Sequence, residues 1–306
     1  MVRHLLCDFD LSKSEVIEIL DVSEKIKRSP SKYGEALKGK TLVMLFELAS
    51  LRTHISFDAG MAQLGGNAIF YDIKGGGFTR SETLEDGVKV LSRYVDAVMA
   101  RVLRQEDVER IGASSSVPVI NGMTSTYHPC QTISDLLTIR EKKGRFDGLK
   151  IAYVGDGWCN TANSTMIGCS SVGMDVTVVC PDDPKYSPDP KILSRIGEHS
   201  GGSIAVSHDP ARGVHDADVI YTDVWVSAGM EEEKQARMKA FPPYQVNAKL
   251  VAKAKPDCIV MHCLPAHRGL EITNDVMDSP QSVVFDQAEN RMHAQKGLMF
   301  WLLTSK

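Results

Sequence analysis

Short apolar runs typical of strands alternate with helical segments along the chain, and this alternation occurs twice. The first series starts at KTLVMLF (40–46) and the second at KIAYVGD (150–156), after a polar, glycine-bearing turn near 142–148. Strands that alternate with helices form parallel sheets that are covered by helices on both faces. The sequence therefore predicts an α/β fold with two lobes, each a parallel sheet flanked by helices.

The restart of the pattern also predicts two domains, because a chain of 306 residues exceeds what most single hydrophobic cores serve. We expect one domain over residues 1–143 and a second over 144–287. The segment 288–306 reads as a last helix whose apolar end needs a surface to pack on. Ligands of open α/β sheets bind beyond the carboxyl ends of the strands, so we expect an active site in the crevice between the lobes.

Composition limits the partners and the compartment. The net charge is -4, which gives no electrostatic basis for binding nucleic acid or an anionic membrane. No apolar run approaches the roughly 20 residues that span a bilayer, and neither a secretory signal nor a transit peptide is visible. The seven cysteines are odd in number and lack a CxxC pair, as is typical of thiols in a reducing compartment. We expect a cytoplasmic protein.

Polar residues gather where the first strand gives way to a helix, in the segment ELASLRT (47–53). Backbone N–H groups at a helix start, together with hydroxyl groups and the Arg52 guanidinium, form a suitable cradle for phosphate. The alternative is an ordinary cap by Ser50 with Arg52 in solvent, and these residues alone do not decide between the two.

A second junction carries HPCQ (128–131), between a predicted strand and a long predicted helix. His128 is held by the following proline and can donate a hydrogen bond to a developing oxyanion, while Gln131 can bind an amide group. The alternative is a capping loop with an incidental histidine.

In the second half, DVWVSAG (223–229) places a carboxylate and a hydroxyl at the end of a strand, which suits an ammonium group. The loop VGDGWCN (154–160) invites a dinucleotide interpretation, with Asp182 as a ribose ligand. Asn160, however, occupies the third glycine position and follows two bulky residues, so we expect its amide to face the crevice instead.

The segment MHCLPAHRG (261–269) concentrates potential metal ligands. Cys258 and His262 lie about 13 Å apart along a strand, too far for one tetrahedral zinc. His262 and Cys263 are neighbours whose side chains point to opposite faces of a strand, which argues against a nucleophilic pair. We therefore expect no metal site.

Taken in order, these segments, with Arg101 at the end of DAVMAR and the late FDQAENRMHAQK (285–296), resemble the aspartate/ornithine transcarbamylase family, in particular its ornithine branch. The resemblance spans nearly the whole chain. It implies a trimer of two-domain enzymes, with a carbamoyl-phosphate domain, an amino-acid domain and a last helix that returns to the first domain. The implied substrates are carbamoyl phosphate and L-ornithine, with no cofactor and no metal.

The resemblance also assigns roles to individual residues. The carbamoyl-phosphate set is Ser50, Leu51 through its backbone, Arg52, Thr53, Arg101, His128, Gln131, Cys263, Leu264 and Arg291. Within it, the residues with catalytic roles are Arg52, Arg101, His128, Cys263 and Arg291. The ornithine set is Asn160, Asp223, Ser227 and Ala228.

The chain departs from the family pattern at four positions, where the family usually has Thr, Arg, Lys and Met: Leu51, His54, Leu48 and Ala228. A leucine at position 51 resembles the acetylornithine and succinylornithine branch. Three alternatives therefore stand: a carbamoyltransferase for an acylated ornithine or a diamine, a catalytically weakened paralogue, and an NAD(P)-dependent oxidoreductase.

Overall fold

The computed structural model describes residues 2–74, 82–198, 201–227 and 230–304. The chain divides into one unit of Met1–Leu137 with Glu289–Lys306 and a second unit of Thr138–Ala288. The first division lies inside helix α5 (Pro129–Lys143), whereas the boundary predicted from sequence follows residue 143. The difference arises because the polar turn after residue 143 marks only the end of helix α5, whereas the division between the two units falls within that helix, after Leu137.

The first unit contains, within its described residues, a parallel sheet in the order β2-β1-β3-β4. Its strands are β1 (Thr41–Phe46), β2 (Asn67–Asp72), β3 (Ala97–Arg101) and β4 (Val119–Met123). Its other helices are α1 (Lys13–Arg28), α2 (Leu51–Gln63), α3 (Leu84–Leu91) and α4 (Gln105–Ser114). The chain leaves β1 toward β2 on one side and returns to β3 on the other, so the topological switch point lies between β1 and β3.

The second unit holds a parallel sheet in the order β7-β6-β5-β8-β9. Its strands are β5 (Lys150–Val154), β6 (Asp175–Val179), β7 (Ile204–Ser207), β8 (Val219–Thr222) and β9 (Ile259–His262). Its helices are α6 (Asn160–Ser171), α7 (Pro190–Gly197), α8 (Pro210–Gly213), α9 (Lys234–Ala240), α10 (Ala248–Val251) and α11 (Asn274–Met277). Here the switch point lies between β5 and β8.

The long helix α12 (Val284–Thr304) crosses the second division and packs in the first unit against α1. Gly297 makes this packing close, because a Cβ there would lie 2.9 Å from the backbone oxygen of Ile19. Lys296, buried on the same helix, donates to the Gln63 side-chain oxygen at 2.8 Å. The last helix therefore belongs to the core of the first unit.

The predicted fold class is confirmed: each unit is a parallel sheet with helices packed around it. Ser12 is the cap of α1: its hydroxyl accepts from the Glu15 backbone N–H, and the Glu15 carboxylate accepts from the Ser12 backbone N–H. Helix α4 was not predicted from the sequence, because its apolar positions are sparse and it joins two short strands. In the part of the chain that the structure describes, no helix has both the length and the apolar character needed to cross a bilayer.

Candidate active site

Helix α2 begins directly at the β1/β3 switch point of the first unit. Ser50 caps it, since its hydroxyl accepts from the Thr53 backbone N–H at 3.3 Å. The first N–H groups of an α-helix have no partner within the helix and carry the positive end of its dipole. The capping and the phosphate interpretations of this segment are therefore compatible, because the same turn that is capped by Ser50 directs N–H groups beyond the strand ends.

Three donors converge on the side-chain oxygen of Thr53. Ser50 donates from its hydroxyl at 3.1 Å, Arg101 from Nη1 at 3.3 Å and Arg291 from Nη2 at 3.4 Å. Thr53 is 1% exposed and Arg291 4% exposed. Two guanidinium charges around one buried hydroxyl, at a helix start, make a strongly positive site that suits an oxyanion with several acceptor oxygens.

Arg291 also belongs to a chain of hydrogen bonds that leads to a buried carboxylate. Its Nη1 donates to Gln131 Oε1 at 2.7 Å, and Gln131 Nε2 donates to Asp135 Oδ1 at 2.7 Å. Because the Gln131 oxygen faces Arg291, the orientation of its amide is fixed. Asp135 was not predicted from sequence, although its position four residues after Gln131 on a helix places the two side chains on one face.

His128 lies immediately before α5, and its backbone oxygen accepts from the Gln131 N–H at 2.9 Å. The side chain is buried. Burial lowers the pKa of His128 well below its usual value, and the Arg291 and Arg101 charges lower it further. The imidazole is therefore neutral near pH 7 and can donate one N–H without adding a third positive charge.

Three further residues, Leu51, Arg52 and His54, lie at the start of α2. Arg52 is half-buried. The Leu51 side chain is 76% exposed, and Leu51 is the first residue of the helix. His54 stacks on Phe70, with ring centroids 4.4 Å apart, and lies 5.9 Å from the ring of Phe46. The histidine that replaces the family's arginine is thus part of an aromatic cluster.

In the second unit, Asn160 and Asp223 follow the two strands that flank the switch point. Thr161 joins them: its hydroxyl donates to Asp223 Oδ2 at 2.8 Å and lies 3.3 Å from Asn160 Oδ1. Asp223 is 8% exposed, and its other oxygen accepts from the Val224 N–H at 2.7 Å. A carboxylate and an amide are therefore presented together at the start of α6. Thr161 was missed, because nothing in its spacing distinguishes it from a helical threonine.

Cys263 lies close to Asp223 and His262, since ligand atoms of the three side chains all fall within 4.8 Å of one another. The expectation that His262 and Cys263 point apart is wrong, because β9 ends at His262 and the alternation of a strand does not extend to Cys263. Leu264 follows with a φ of 58°, which turns the chain at this point.

Both ring nitrogens of His262 are engaged within the protein. Nδ1 accepts from the Leu264 N–H at 2.9 Å, so Nε2 carries the proton and donates to Glu271 Oε1 at 3.1 Å. His262 and Glu271 are each fully buried. A metal ion bound by all three side chains would have to displace one of the two hydrogen bonds of the His262 ring. Glu271 was not predicted from sequence.

Three predicted residues remain: Ser227, Ala228 and Leu264. Ser227 and Leu264 are half-buried in the second unit. Ala228 lies outside the described residues, and its predicted backbone contact remains a prediction. The structure thus brings together Ser50, Thr53, Arg101, Gln131 and Arg291 in the first unit, and Asn160, Asp223 and Cys263 in the second.

Comparisons with known proteins agree on one family. Residues 3–141 match the carbamoyl-P binding domain of aspartate/ornithine carbamoyltransferase, and residues 147–302 match its Asp/Orn binding domain. An ornithine carbamoyltransferase of Thermococcus kodakarensis is 52% identical, over 97% of this chain and 95% of its own. One from Pyrococcus furiosus, described as anabolic, is 50% identical over the same shares. The solved structure of the P. furiosus protein superposes with a TM-score of 0.92 at 49% identity, covering 97% of this chain and 96% of the other.

Proposed function

The chain belongs to the aspartate/ornithine carbamoyltransferase family, and we propose that it transfers the carbamoyl group of carbamoyl phosphate to the side-chain amine of L-ornithine. The products are citrulline and phosphate. The observation that carries this proposal is the convergence of Arg101, Arg291 and Ser50 on Thr53 at the start of α2.

In this proposal, the phosphate group of carbamoyl phosphate binds at the start of α2. Its oxygens accept hydrogen bonds from the backbone of Leu51, from the hydroxyls of Ser50 and Thr53, and from the guanidinium groups of Arg52 and Arg101. A doubly charged phosphate needs several donors at once, and a helix start with two hydroxyls supplies them without a metal ion. The buried position of Thr53 strengthens each of these interactions.

The carbamoyl group binds next to the phosphate. Arg101, neutral His128 and Thr53 donate toward its oxygen, while Gln131 and Arg291 hold its amide end. Negative charge develops on that oxygen as the reaction proceeds, and donors that are already in place lower the free energy of the transition state. The Gln131–Asp135 hydrogen bond keeps the Gln131 amide in one orientation, so that the donors need no rearrangement during the reaction.

The amino acid binds in the second unit. Asp223 and Asn160, which Thr161 holds together, accept from and donate to its α-amino and α-carboxylate groups, with Ser227 and the backbone of Ala228 completing the set. Cys263, with Leu264 beside it, contacts the side-chain amine. The half-buried thiol and the nearby Asp223 carboxylate suit a group that arrives as an ammonium ion and must lose a proton.

The reaction then balances as follows. The neutral side-chain amine attacks the carbamoyl carbon and forms a C–N bond, which gives a tetrahedral species with negative charge on the former carbonyl oxygen. Collapse of this species breaks the bond between carbon and the bridging phosphate oxygen, and the leaving phosphate takes up the proton that the nitrogen loses. Positioning of the two substrates and stabilisation of the oxyanion supply the catalysis.

Leu51 does not weaken this assignment, because its side chain is exposed and its backbone N–H remains at the helix start. The unmodified amine is favoured over acylated ornithine because Asp223, Asn160 and Thr161 form a compact polar set for a charged α-amino group. A name among the relatives that includes "anabolic" supports synthesis of citrulline for arginine as the direction.

We also propose a homotrimer in the cytoplasm. The edge of the first unit formed by α2 and β2 exposes four large apolar side chains, which is typical of a surface that is covered in an oligomer. They are Leu51, Ile55, Ile69 and Phe70. All seven cysteines are thiols, which suits a reducing compartment. Sedimentation equilibrium of the purified protein tests the trimer, and a monomer at micromolar concentration would contradict it.

A colorimetric assay of ureido products tests the function. Carbamoyl phosphate is supplied with ornithine and, in parallel, with acetylornithine, succinylornithine, putrescine and aspartate, and we expect turnover with ornithine. Faster turnover with acetylornithine or succinylornithine would show that the substrate is an acylated ornithine. Turnover with none of the amines would overturn the enzymatic assignment. A thermal-shift series with NAD and NADP tests the oxidoreductase alternative, for which we expect no shift.

A further inference from the structure

A buried ion pair in the second unit joins α9 to the loop that precedes α6. Arg237 donates from Nη1 to Asp156 Oδ2 at 2.6 Å, and both side chains are almost fully buried, at 3% and 2% exposed. Nε of the same guanidinium donates to Glu233 at 2.9 Å. Neither Arg237 nor Asp156 belongs to the substrate-binding sets described above.

The same guanidinium holds the chain after β8. Arg237 Nη1 donates to the backbone oxygen of Trp225 at 3.0 Å. Trp225 lies two residues after Asp223 and two before Ser227, between the two side chains proposed to bind the amino acid. Arg237 therefore fixes the backbone in the middle of that segment, although its own guanidinium lies on a different element.

Asp156 holds the loop before Asn160, on the other side of the residues proposed to bind the amino acid. Its Oδ1 accepts from the Trp158 N–H at 3.0 Å, two residues before Asn160. The loop is also tightly packed at Gly157, whose N–H donates to the Tyr186 oxygen at 2.8 Å, and where a Cβ would lie only 2.7 Å from that oxygen. Through one ion pair, the loop that carries Asn160 and the loop that carries Asp223 are joined.

Aromatic rings surround the pair and exclude water. The Arg237 guanidinium carbon lies 5.2 Å from the Tyr186 ring centroid and 5.9 Å from that of Phe241, and Trp225 stacks on Phe241 with centroids 6.0 Å apart. Burial raises the pKa of the Asp156 carboxyl, and the Arg237 charge opposes that rise. Each member of the pair therefore depends on the other, since either one alone would be an uncompensated charge in an apolar setting.

We propose that Arg237 is a positioning residue for the amino-acid substrate: by holding Asp156 and the Trp225 backbone together, it sets the separation of Asn160 from Asp223 and Ser227. This inference rests on the proposed function of Asn160, Asp223 and Ser227 in binding ornithine. It assigns to Arg237 an effect on ornithine binding without contact with ornithine, and no effect on carbamoyl-phosphate binding, whose phosphate group is held by residues of the first unit.

The test combines kinetics with conservative variants. Arg237→Gln is expected to raise the KM for ornithine by about 10- to 100-fold, because small misplacements of binding groups cost that much, and to leave the KM for carbamoyl phosphate within about twofold. Arg237→Lys keeps the charge but loses the forked geometry, and is expected to recover part of the loss. Asp156→Asn/Arg237→Gln leaves no unpaired charge buried, since Glu233 is exposed. It separates positioning from folding and is expected to keep the ornithine defect.

Lys255→Gln is the matched control. Lys255 pairs with the buried Asp218 at 2.8 Å in the same unit, but Asp218 precedes β8 and receives the Lys150 N–H at the amino end of β5, away from the site. The control removes the cationic partner of another buried carboxylate in this unit and is expected to leave both KM values unchanged. An equal ornithine defect in Lys255→Gln would show that any loss of stability in this unit produces it, and would overturn the proposal.

A second readout does not require activity. In a Trp158→Phe/Trp301→Phe background, Trp225 is the remaining tryptophan of the three, and it is 3% exposed. Arg237→Gln is expected to raise its acrylamide quenching constant severalfold, and Lys255→Gln to leave it unchanged. Unchanged quenching in Arg237→Gln would overturn the positioning role. If the unsubstituted protein does not carbamoylate ornithine, the proposed function fails, while the quenching result still decides whether Arg237 holds the segment.

Discussion

Arg291 donates from Nη1 to the side-chain oxygen of Gln131 across 2.7 Å, joining residues 160 positions apart in the chain. This bond places the arginine of α12 beside the start of α5, and the second nitrogen of the same guanidinium reaches Thr53. One planar group thereby aligns the proposed carbamoyl site with the proposed phosphate site. The forked geometry matters, because an ammonium group presents a single point of charge.

Arg291→Lys is therefore expected to be costly even though it conserves charge. We expect kcat/KM for carbamoyl phosphate to fall about 100-fold, since lysine cannot span Gln131 and Thr53 together. Steady-state kinetics at saturating ornithine measure the change. Arg110→Lys, in an exposed ion pair of the same unit with Glu85, is the control and is expected to stay within twofold. Equal values for the two variants would contradict the role of Arg291.

Thr53→Val removes the oxygen on which the two guanidinium groups converge, with little change in shape. We expect carbamoyl phosphate or inorganic phosphate to bind about 10- to 100-fold more weakly, the usual loss for a hydrogen bond between a neutral and a charged group. Thr53→Ser keeps the hydroxyl and is expected to bind within threefold of the unsubstituted protein. Isothermal titration calorimetry distinguishes these outcomes, and an unchanged affinity in Thr53→Val would place the phosphate elsewhere.

The buried His128 makes the stability of the protein sensitive to acid. Burial and the neighbouring arginines lower the pKa of His128 in the folded protein below its ordinary value of 6.5. Below pH 6.5 the unfolded chain therefore binds a proton that the folded chain does not, and stability falls by up to about 1.4 kcal/mol per pH unit. We expect the melting temperature of His128→Asn to fall less than that of the unsubstituted protein between pH 6.5 and 5.5. Parallel curves would contradict this.

Cys263 is expected to be the first cysteine to react with iodoacetamide. It is half-buried, whereas the other six are buried, and burial raises the pKa of Cys130 and of Cys258 to about 12. Since the thiolate is the reacting form, those thiols stay inert. Mass spectrometry after brief alkylation is expected to find the label on Cys263, and saturating ornithine to slow it about tenfold by occupying the site. Initial labelling at another cysteine would contradict the geometry.

Leu51→Thr tests whether the departure from the family pattern has a cost. The side chain is exposed, so we expect stability to change by less than about 0.5 kcal/mol. A restored hydroxyl at the helix start is expected to tighten carbamoyl-phosphate binding by about 3- to 10-fold, as one added hydrogen bond does. The preference for ornithine over acetylornithine should not move. A switch in that preference would make position 51 a determinant of the amine substrate.

Much of this architecture is visible in the sequence because the signals are local. The apolar strands are visible as short runs of hydrophobic residues. The cap at Ser50 and the polar residues after the strands lie next to these runs in the sequence. Parallel topology brings strand ends together, which explains why Arg101 reaches Thr53, although the sequence grouped these two residues only through the family resemblance.

Other features depend on packing between segments that no local pattern connects. Asp156 and Arg237 are 81 residues apart, and neither position looks unusual in its own segment. The closeness of Cys263 to His262 was missed for a different reason: the predicted strand continued past its observed end at His262, which gave the Cys263 side chain the wrong direction. Long-range ion pairs and element ends are therefore where the sequence was least informative.

The first unit is built from both ends of the chain, and this has a consequence for the order of synthesis. A ribosome completes all of Thr138–Ala288 before it makes Glu289–Lys306, although domains generally fold in the order in which they emerge. The first unit emerges first but is completed last. The packing of α1 against Gly297 and the hydrogen bond from Arg291 to Thr53 can form only after Glu289–Lys306 has been made. A nascent chain thus gains the full set of carbamoyl-phosphate-binding groups only after the second unit has been made.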